Sequence, residues 1–242
     1  MTQALYPQIV DTLETAGQTT LYTADANEPD PRYLGYGVRA PQMKKILQQW
    51  QPAFRQLDVE TKIELATQLI ESGYGEQESV ALHLLNQCIE YFTPEKFDLL
   101  DHLLRLQHGW SKIDAYSGSL LASILALYPL EMITVIKRWN VDDELWLRRA
   151  SVVLFTRRVA RTGLYTDTAL QLCDNLKNDA QDMVQKGVGW CLKDLMKADK
   201  KRIINYVIEL RQQKVSSTIT LYAIRDLQGA VRKSVLRAGK SP

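Results

Sequence analysis

Residues 181–197 read QDMVQKGVGWCLKDLMK, and their spacing is that of a helix. Val184, Val188, Cys191, Leu192 and Leu195 recur at three- and four-residue intervals, which at about 3.6 residues per turn gathers them on one face. A second row, Lys186, Trp190, Lys193 and Lys197, follows at i, i+4, i+7 and i+11, so a tryptophan sits in a line of ammonium groups beside an apolar stripe. The same periodicity extends upstream through TDTALQLCDNL and DELWLRRASVVLFTRRVA, and downstream through KKRIINYVIELRQQ and STITLYAIRDLQ. In the first half it returns in VETKIELATQLIES, QESVALHLLNQCIEY and WSKIDAYSGSLLASILALY, while alternating apolar and polar runs are almost absent. The fold class is therefore all-α, with about a dozen helices. Joints of a few residues imply antiparallel neighbours in units of roughly 40 residues, the pitch of a curved α-solenoid of helix pairs.

Helix boundaries are marked by side-chain chemistry. A first helix is expected from Ala4 to about Ala16, then a loop, TTLYTADANEPDPRYLGYG, in which Pro29, Pro31, Gly35 and Gly37 oppose helix and Leu21–Tyr22 is a weak strand signal. Pro41 stands where a first helical residue belongs, and Thr93-Pro94-Glu95-Lys96 begins another helix by the same logic. Asp142 is placed to cap the helix that contains Trp146. After residue 40 no Gly/Ser-rich or Pro-rich linker interrupts the helices, so residues 1–242 are expected to form a single domain.

Composition narrows the class. With 242 residues, 45% hydrophobic and 24% charged, the chain is neither a disordered tail, a collagen nor a disulfide mini-protein. Cys88, Cys173 and Cys191 are odd in number and far apart, and read as buried apolar residues rather than a disulfide framework or zinc site. His83, His102 and His108 lack metal-ligand spacing, so neither a metal nor any other cofactor is expected. There is no leader-like segment and no apolar run of membrane-spanning length, which points to a cytoplasmic protein without membrane contact. The net charge of +2 conceals an asymmetry: residues 1–120 hold nine Lys and Arg against sixteen Asp and Glu, and residues 121–242 hold twenty-one against twelve.

Three constellations stand out. In Trp110-Ser-Lys-Ile-Asp114 the i, i+4 spacing puts indole and carboxylate on one helix face, bordered by Ile113, Ser117, Leu120, Leu121 and Ile124. A carboxylate there loses hydration, which fits a structural ion pair or a placed functional charge. In Trp146-Leu-Arg148-Arg149-Ala150, Arg149 flanks the apolar stripe with Arg157 two turns on, and Arg148 turns about 100° away. Arg149 is either a snorkelling edge residue or a placed cation. The basic row around Trp190 suits a phosphodiester backbone with an aromatic packing on sugar or base, and equally a solvated lysine face. Phosphate-loop and triad motifs are absent, and Gly73-Tyr-Gly75 and Gly187-Val-Gly189 read as a turn and a close helix packing.

In order and at repeat pitch, Trp-x-x-x-Asp, then WLxRA, then a GW dipeptide on a basic helix resemble the AlkD-like DNA alkylation-repair glycosylases, all-α proteins of HEAT-like repeats. YGVRAP at Tyr36–Pro41 is similar to that family's aromatic-Gly-x-x-x-Pro lead into its second helix. The resemblance implies a monomeric, monofunctional glycosylase that removes cationic N3- or N7-alkylated purines from double-stranded DNA. It also implies roles: Asp114 as catalytic carboxylate, Trp110 and Trp190 against the lesion deoxyribose, Arg149 on the nearby phosphate, and Arg157, Lys193 and Lys197 along the backbone, to which the basic row adds Lys186 as a DNA-binding candidate. For the family's lesion-side aromatic, Tyr22, Tyr33 and Tyr36 are all candidates. The rival reading is a non-catalytic repeat protein of the same fold that recognises distorted or branched DNA.

Overall fold

A computed structural model describes residues 2–17, residue 30 and residues 34–238. The chain divides into two compact units, 1–129 and 130–242. The first holds α1 (Thr2–Ala16), α2 (Ala40–Arg55), α3 (Val59–Glu71), α4 (Gly75–Leu85), α5 (Phe97–Arg105), α6 (Trp110–Tyr116) and α7 (Ala122–Leu127). The second is built from α8 (Pro129–Trp139), α9 (Leu145–Val153), α10 (Arg157–Thr162), α11 (Thr166–Asn175), α12 (Asp182–Leu195), α13 (Lys200–Gln212), α14 (Ser217–Ala223) and α15 (Gly229–Arg237). The all-α class is as expected: among the described residues the sole β feature is a parallel bridge of Leu34 with Tyr74. None of the described helices is long and apolar enough to cross a membrane.

Packing follows the apolar stripes. In the first unit α4 lies against α3 and also touches α2 and α6, and Val80, Ala81, Leu84 and Leu85 are its buried face. In the second, α12 packs most closely on α14 and α9, with Val184, Val188, Cys191, Leu192 and Leu195 all buried. The tight partners of α12 are thus two and three helices away in sequence, where the short joints predicted pairing with its immediate neighbours. Skipping in this way is what a two-layered stack of helix pairs produces, because helices of one layer rest on one another. It places α6 in a row with α2 and α4 in one unit, and α12 in a row with α9 and α14 in the other.

Several boundaries differ from the sequence reading for local reasons. Pro41 does fall at the head of α2, inside its first turn. Pro94 opens a short 3-10 turn, Pro94–Lys96, and the α-helix proper begins at Phe97. WSKIDAYSGSLLASILALY is interrupted by one π-helical turn, Ser117–Leu121, between α6 and α7. DELWLRRASVVLFTRRVA breaks after Val153 and resumes at Arg157. Glu144, rather than Asp142, caps α9: its carboxylate accepts from the Trp146 amide at 3.4 Å, while Asp142 Oδ1 accepts from the Glu144 amide at 2.9 Å and shapes the approach. The loop signals at residues 19–33, including the strand signal at Leu21–Tyr22 and the aromatics Tyr22 and Tyr33, lie outside the described residues apart from Asp30. All three cysteines are buried and free, as expected.

Candidate functional site

In the first unit the candidate groups stand on α6. Gly109, at φ 101°, precedes the helix in a backbone conformation that glycine adopts without strain, and Trp110 is the first helical residue. One turn on, Asp114 is 4% exposed, beside the fully buried Ile113 and Tyr116. The stripe named from sequence is fully buried: Ile113, Ser117, Leu120, Leu121 and Ile124 are all at 0%. The π turn begins three residues after Asp114; such turns concentrate at functional sites because they re-aim the side chains around them. Tyr116 donates its hydroxyl to the Glu78 carbonyl at 3.3 Å. Burial first, and then the Glu78 charge, push its phenol well above the usual tyrosine range, with a Gln107 hydrogen bond opposing.

In the second unit α9 presents its two arginines differently. Arg148 forms an ion pair with Asp179 at 2.7 Å and donates to the carbonyls of Asp142 and Asp143 at 2.8 and 2.9 Å, which ties the start of α9 to the chain before α12. Arg149 is 4% exposed and lies against α12, with Nη1 donating to the Met183 carbonyl. Gly187 lies beside it: a Cβ there would stand 3.4 Å from Arg149 Cγ and 3.5 Å from Nη1, ordinary contact distances. Asn140 secures the far side of α9, donating to Ser151 Oγ at 2.9 Å and the Leu172 carbonyl at 3.2 Å while accepting from Asn175.

The basic row on α12 is organised around a residue that the sequence reading did not single out. Asp194 is 2% exposed, and its Oδ1 receives Lys197 Nζ at 2.8 Å and faces Lys193 Nζ at 3.6 Å. Its Oδ2 accepts from the backbone amide of Arg157 at 2.7 Å. Burial pushes the Asp194 carboxyl up, but the Lys197 and Arg157 hydrogen bonds and the two lysine charges outweigh it and hold it below the usual aspartate range. Arg157 stands at φ 51°, a region that costs a non-glycine residue on the order of 1 kcal/mol. Its guanidinium lies over the Trp190 ring, 4.8 Å from the centroid. Arg157, Trp190, Lys193 and Lys197 are therefore brought together. Lys186, one turn before Trp190, is paired with Asp182 at 2.6 Å, and Lys193 also reaches Asp226 at 3.4 Å.

These positions fall inside the range that a family model matches. The family profile for DNA alkylation repair enzyme matches residues 31–227, most of the chain. The chain belongs to the DNA alkylation repair enzyme family. A solved structure described as a predicted DNA alkylation repair enzyme from Enterococcus faecalis superposes on this family member with a TM-score of 0.69 at 18% identity, covering 82% of this chain and 91% of that one. At that identity the likeness speaks for the fold. No curated protein matches the chain.

Within this DNA alkylation repair protein, the YGVRAP stretch has a structural task. Glu76 at the head of α4 accepts from the amides of Tyr36, Gly37 and Val38 at 3.0, 2.9 and 3.0 Å. Tyr36 stacks on Tyr74 with centroids 4.4 Å apart, and its hydroxyl accepts from Gln77 at 2.7 Å. Burial raises its phenol to about 12, against the Gln77 hydrogen bond. Of the three candidate lesion-side aromatics, Tyr36 is thus committed to the α2–α4 joint. A cleft of about 600 Å³ opens beside it, lined by α2 and α4 with Lys44 and His83, and reached by Lys112 of α6, which donates to Ser79 at 2.8 Å.

Proposed function

We propose that this DNA alkylation repair protein is a monofunctional glycosylase that excises N3- or N7-alkylated purines from duplex DNA. The observation that carries the reading is Asp114: a carboxylate 4% exposed, one turn after Trp110 at the head of α6, in a helix that turns π just beyond it. A carboxylate in so little water fits a placed functional charge as well as a structural pair, and family membership supplies the reaction in which such a charge is useful.

The chemistry is balanced without acid catalysis. Alkylation makes the purine a cation, so when the C1′–N bond breaks its electron pair returns to the base, which leaves neutral. Positive charge then accumulates on the deoxyribose. Asp114 stabilises that charge. At about 4 Å and an effective dielectric of about 20 the attraction is about 4 kcal/mol, on the order of a thousandfold in rate. Water adds at C1′ and gives its proton to the carboxylate or to solvent, leaving an abasic sugar. The Trp110 indole contributes a negative face worth about 0.5–2 kcal/mol to a nearby cationic sugar. In the second unit Arg157, Lys193 and Lys197, with Trp190, supply cations and an aromatic for the phosphodiester backbone, and the family resemblance gives Arg149 a phosphate contact as well. Selectivity arises from the lesion's own charge rather than from reading its hydrogen-bonding edge.

The test is incubation of methylated duplex DNA with the protein, followed by chromatography of released bases. Free 3-methyladenine or 7-methylguanine supports the reading. Tight binding to duplex with no base released points instead to a non-catalytic DNA-binding protein.

A further inference from the structure

We propose that Asp194 is a positioning residue: through the Arg157 backbone amide it sets the Arg157 guanidinium across the Trp190 indole as a prearranged clamp for a DNA phosphate. The proposal rests on the duplex-DNA reading above for its ligand, but its geometry stands on the second unit alone.

Trp190 and Asp194 are i and i+4 on α12, so one face of one helix carries both the ring that supports the Arg157 side chain and the carboxylate that holds its backbone. The amide-to-Oδ2 distance is 2.7 Å and the guanidinium stands 4.8 Å from the ring centroid. Arg157 is held in a left-handed backbone conformation at φ 51°, which a non-glycine residue keeps only where its surroundings over-determine it. The Asp194 bond is such a restraint. A guanidinium resting over an aromatic ring loses side-chain freedom, and a planar guanidinium so restrained is suited to gripping two phosphate oxygens at once. The remaining oxygen of Asp194 faces Lys197 at 2.8 Å and Lys193 at 3.6 Å. One buried anion therefore draws in two lysines and the Arg157 backbone, offsets part of the repulsion among the three cations, and even with Asp226 beside Lys193 leaves the cluster net positive for a phosphodiester. Asp194 touches no substrate in this account; it acts through Arg157.

The experiment reads geometry and function separately. In isotope-labelled full-length protein, the Arg157 side-chain resonances, assigned by their loss in Arg157→Lys, are expected upfield of ordinary arginine positions because of the indole ring current. Asp194→Asn should return them to ordinary positions; an unchanged upfield shift overturns the proposal. Should Asp194→Asn fail to fold, Asp194→Glu keeps the charge but moves it by one methylene and must displace the same resonances, and unmoved resonances again overturn it. On duplex DNA, Asp194→Asn should weaken binding roughly tenfold, the loss of one charge-assisted phosphate contact, and should raise KM with little change in kcat. In an Arg157→Lys background the same substitution should add no more than about twofold, because the two residues act as a unit. A full additive loss overturns the coupling. If the wild type neither binds duplex nor releases base, the proposed function fails and the clamp loses its ligand, while the resonances still decide whether Asp194 holds Arg157.

Discussion

A Cβ placed on Gly189 would stand 2.7 Å from Tyr222 Cβ and 2.8 Å from the Ile219 carbonyl oxygen, so α12 and α14 meet at a point where only glycine fits. Gly187, two residues earlier, faces the opposite problem. A methyl there meets Arg149 and Val153 at 3.4 Å, an ordinary contact. Gly189→Ala is expected to destabilise the protein by about 1–3 kcal/mol through overpacking against backbone. Gly187→Ala should be neutral or stabilising by up to about 1 kcal/mol, the usual gain for alanine inside a helix. Urea unfolding of the two variants checks the contrast.

Asp194 contributes to stability against acid. Its folded-state pKa lies below the ordinary aspartate value of 3.8, so its contribution is fully present above that value and is lost as pH falls through the lower, folded-state one. Asp194→Asn should therefore be less stable than wild type at neutral pH, with a deficit that narrows as pH drops below 3.8. Thermal unfolding followed against pH measures it.

At the alkaline end Tyr36 has the reverse sign. Its phenol is raised from 10.0 to about 12, so the neutral form is favoured in the fold and its contribution is present below 10 and lost as pH rises toward 12. A spectrophotometric titration of Tyr36→Phe should lack one phenol titrating near pH 12.

Much of this was legible in the sequence where the physics is local. The stripe from Ile113 to Ile124, the core face of α12, the buried cysteines and Pro41 at the head of α2 all follow from periodicity or from proline's missing amide. The closeness of Gly187-Val-Gly189 to its neighbours was also readable, though not that Tyr222 is what Gly189 meets. Features that depend on groups distant in the chain were not. Asp194 sits three residues after Cys191 and three before Lys197, so the argument that singled out Asp114 beside its own apolar stripe applied equally to it. What gives Asp194 its place, the Arg157 amide, is 37 residues away. Glu76 likewise looks like an ordinary first-turn acid until the amides of Tyr36, Gly37 and Val38 are seen converging on it. Neither the π turn after Asp114 nor the left-handed backbone of Arg157 has a sequence signal, since no glycine or proline marks them.

Binding to duplex should depend steeply on salt if the α12 cations grip phosphates. Arg157→Gln is expected to weaken binding across all sequences and to reduce the slope of log Kobs against log salt concentration by about one. Fluorescence anisotropy with an unmodified duplex at several salt concentrations measures that slope.

The central claim rests on the Asp114 carboxylate. Its most direct test is the single-turnover rate of 7-methylguanine release from a defined duplex by wild type and by Asp114→Asn, which keeps size and removes charge. The account predicts measurable release by wild type and a loss of about a hundred- to a thousandfold in the variant, with duplex binding nearly unchanged. Equal rates for the two proteins would contradict it.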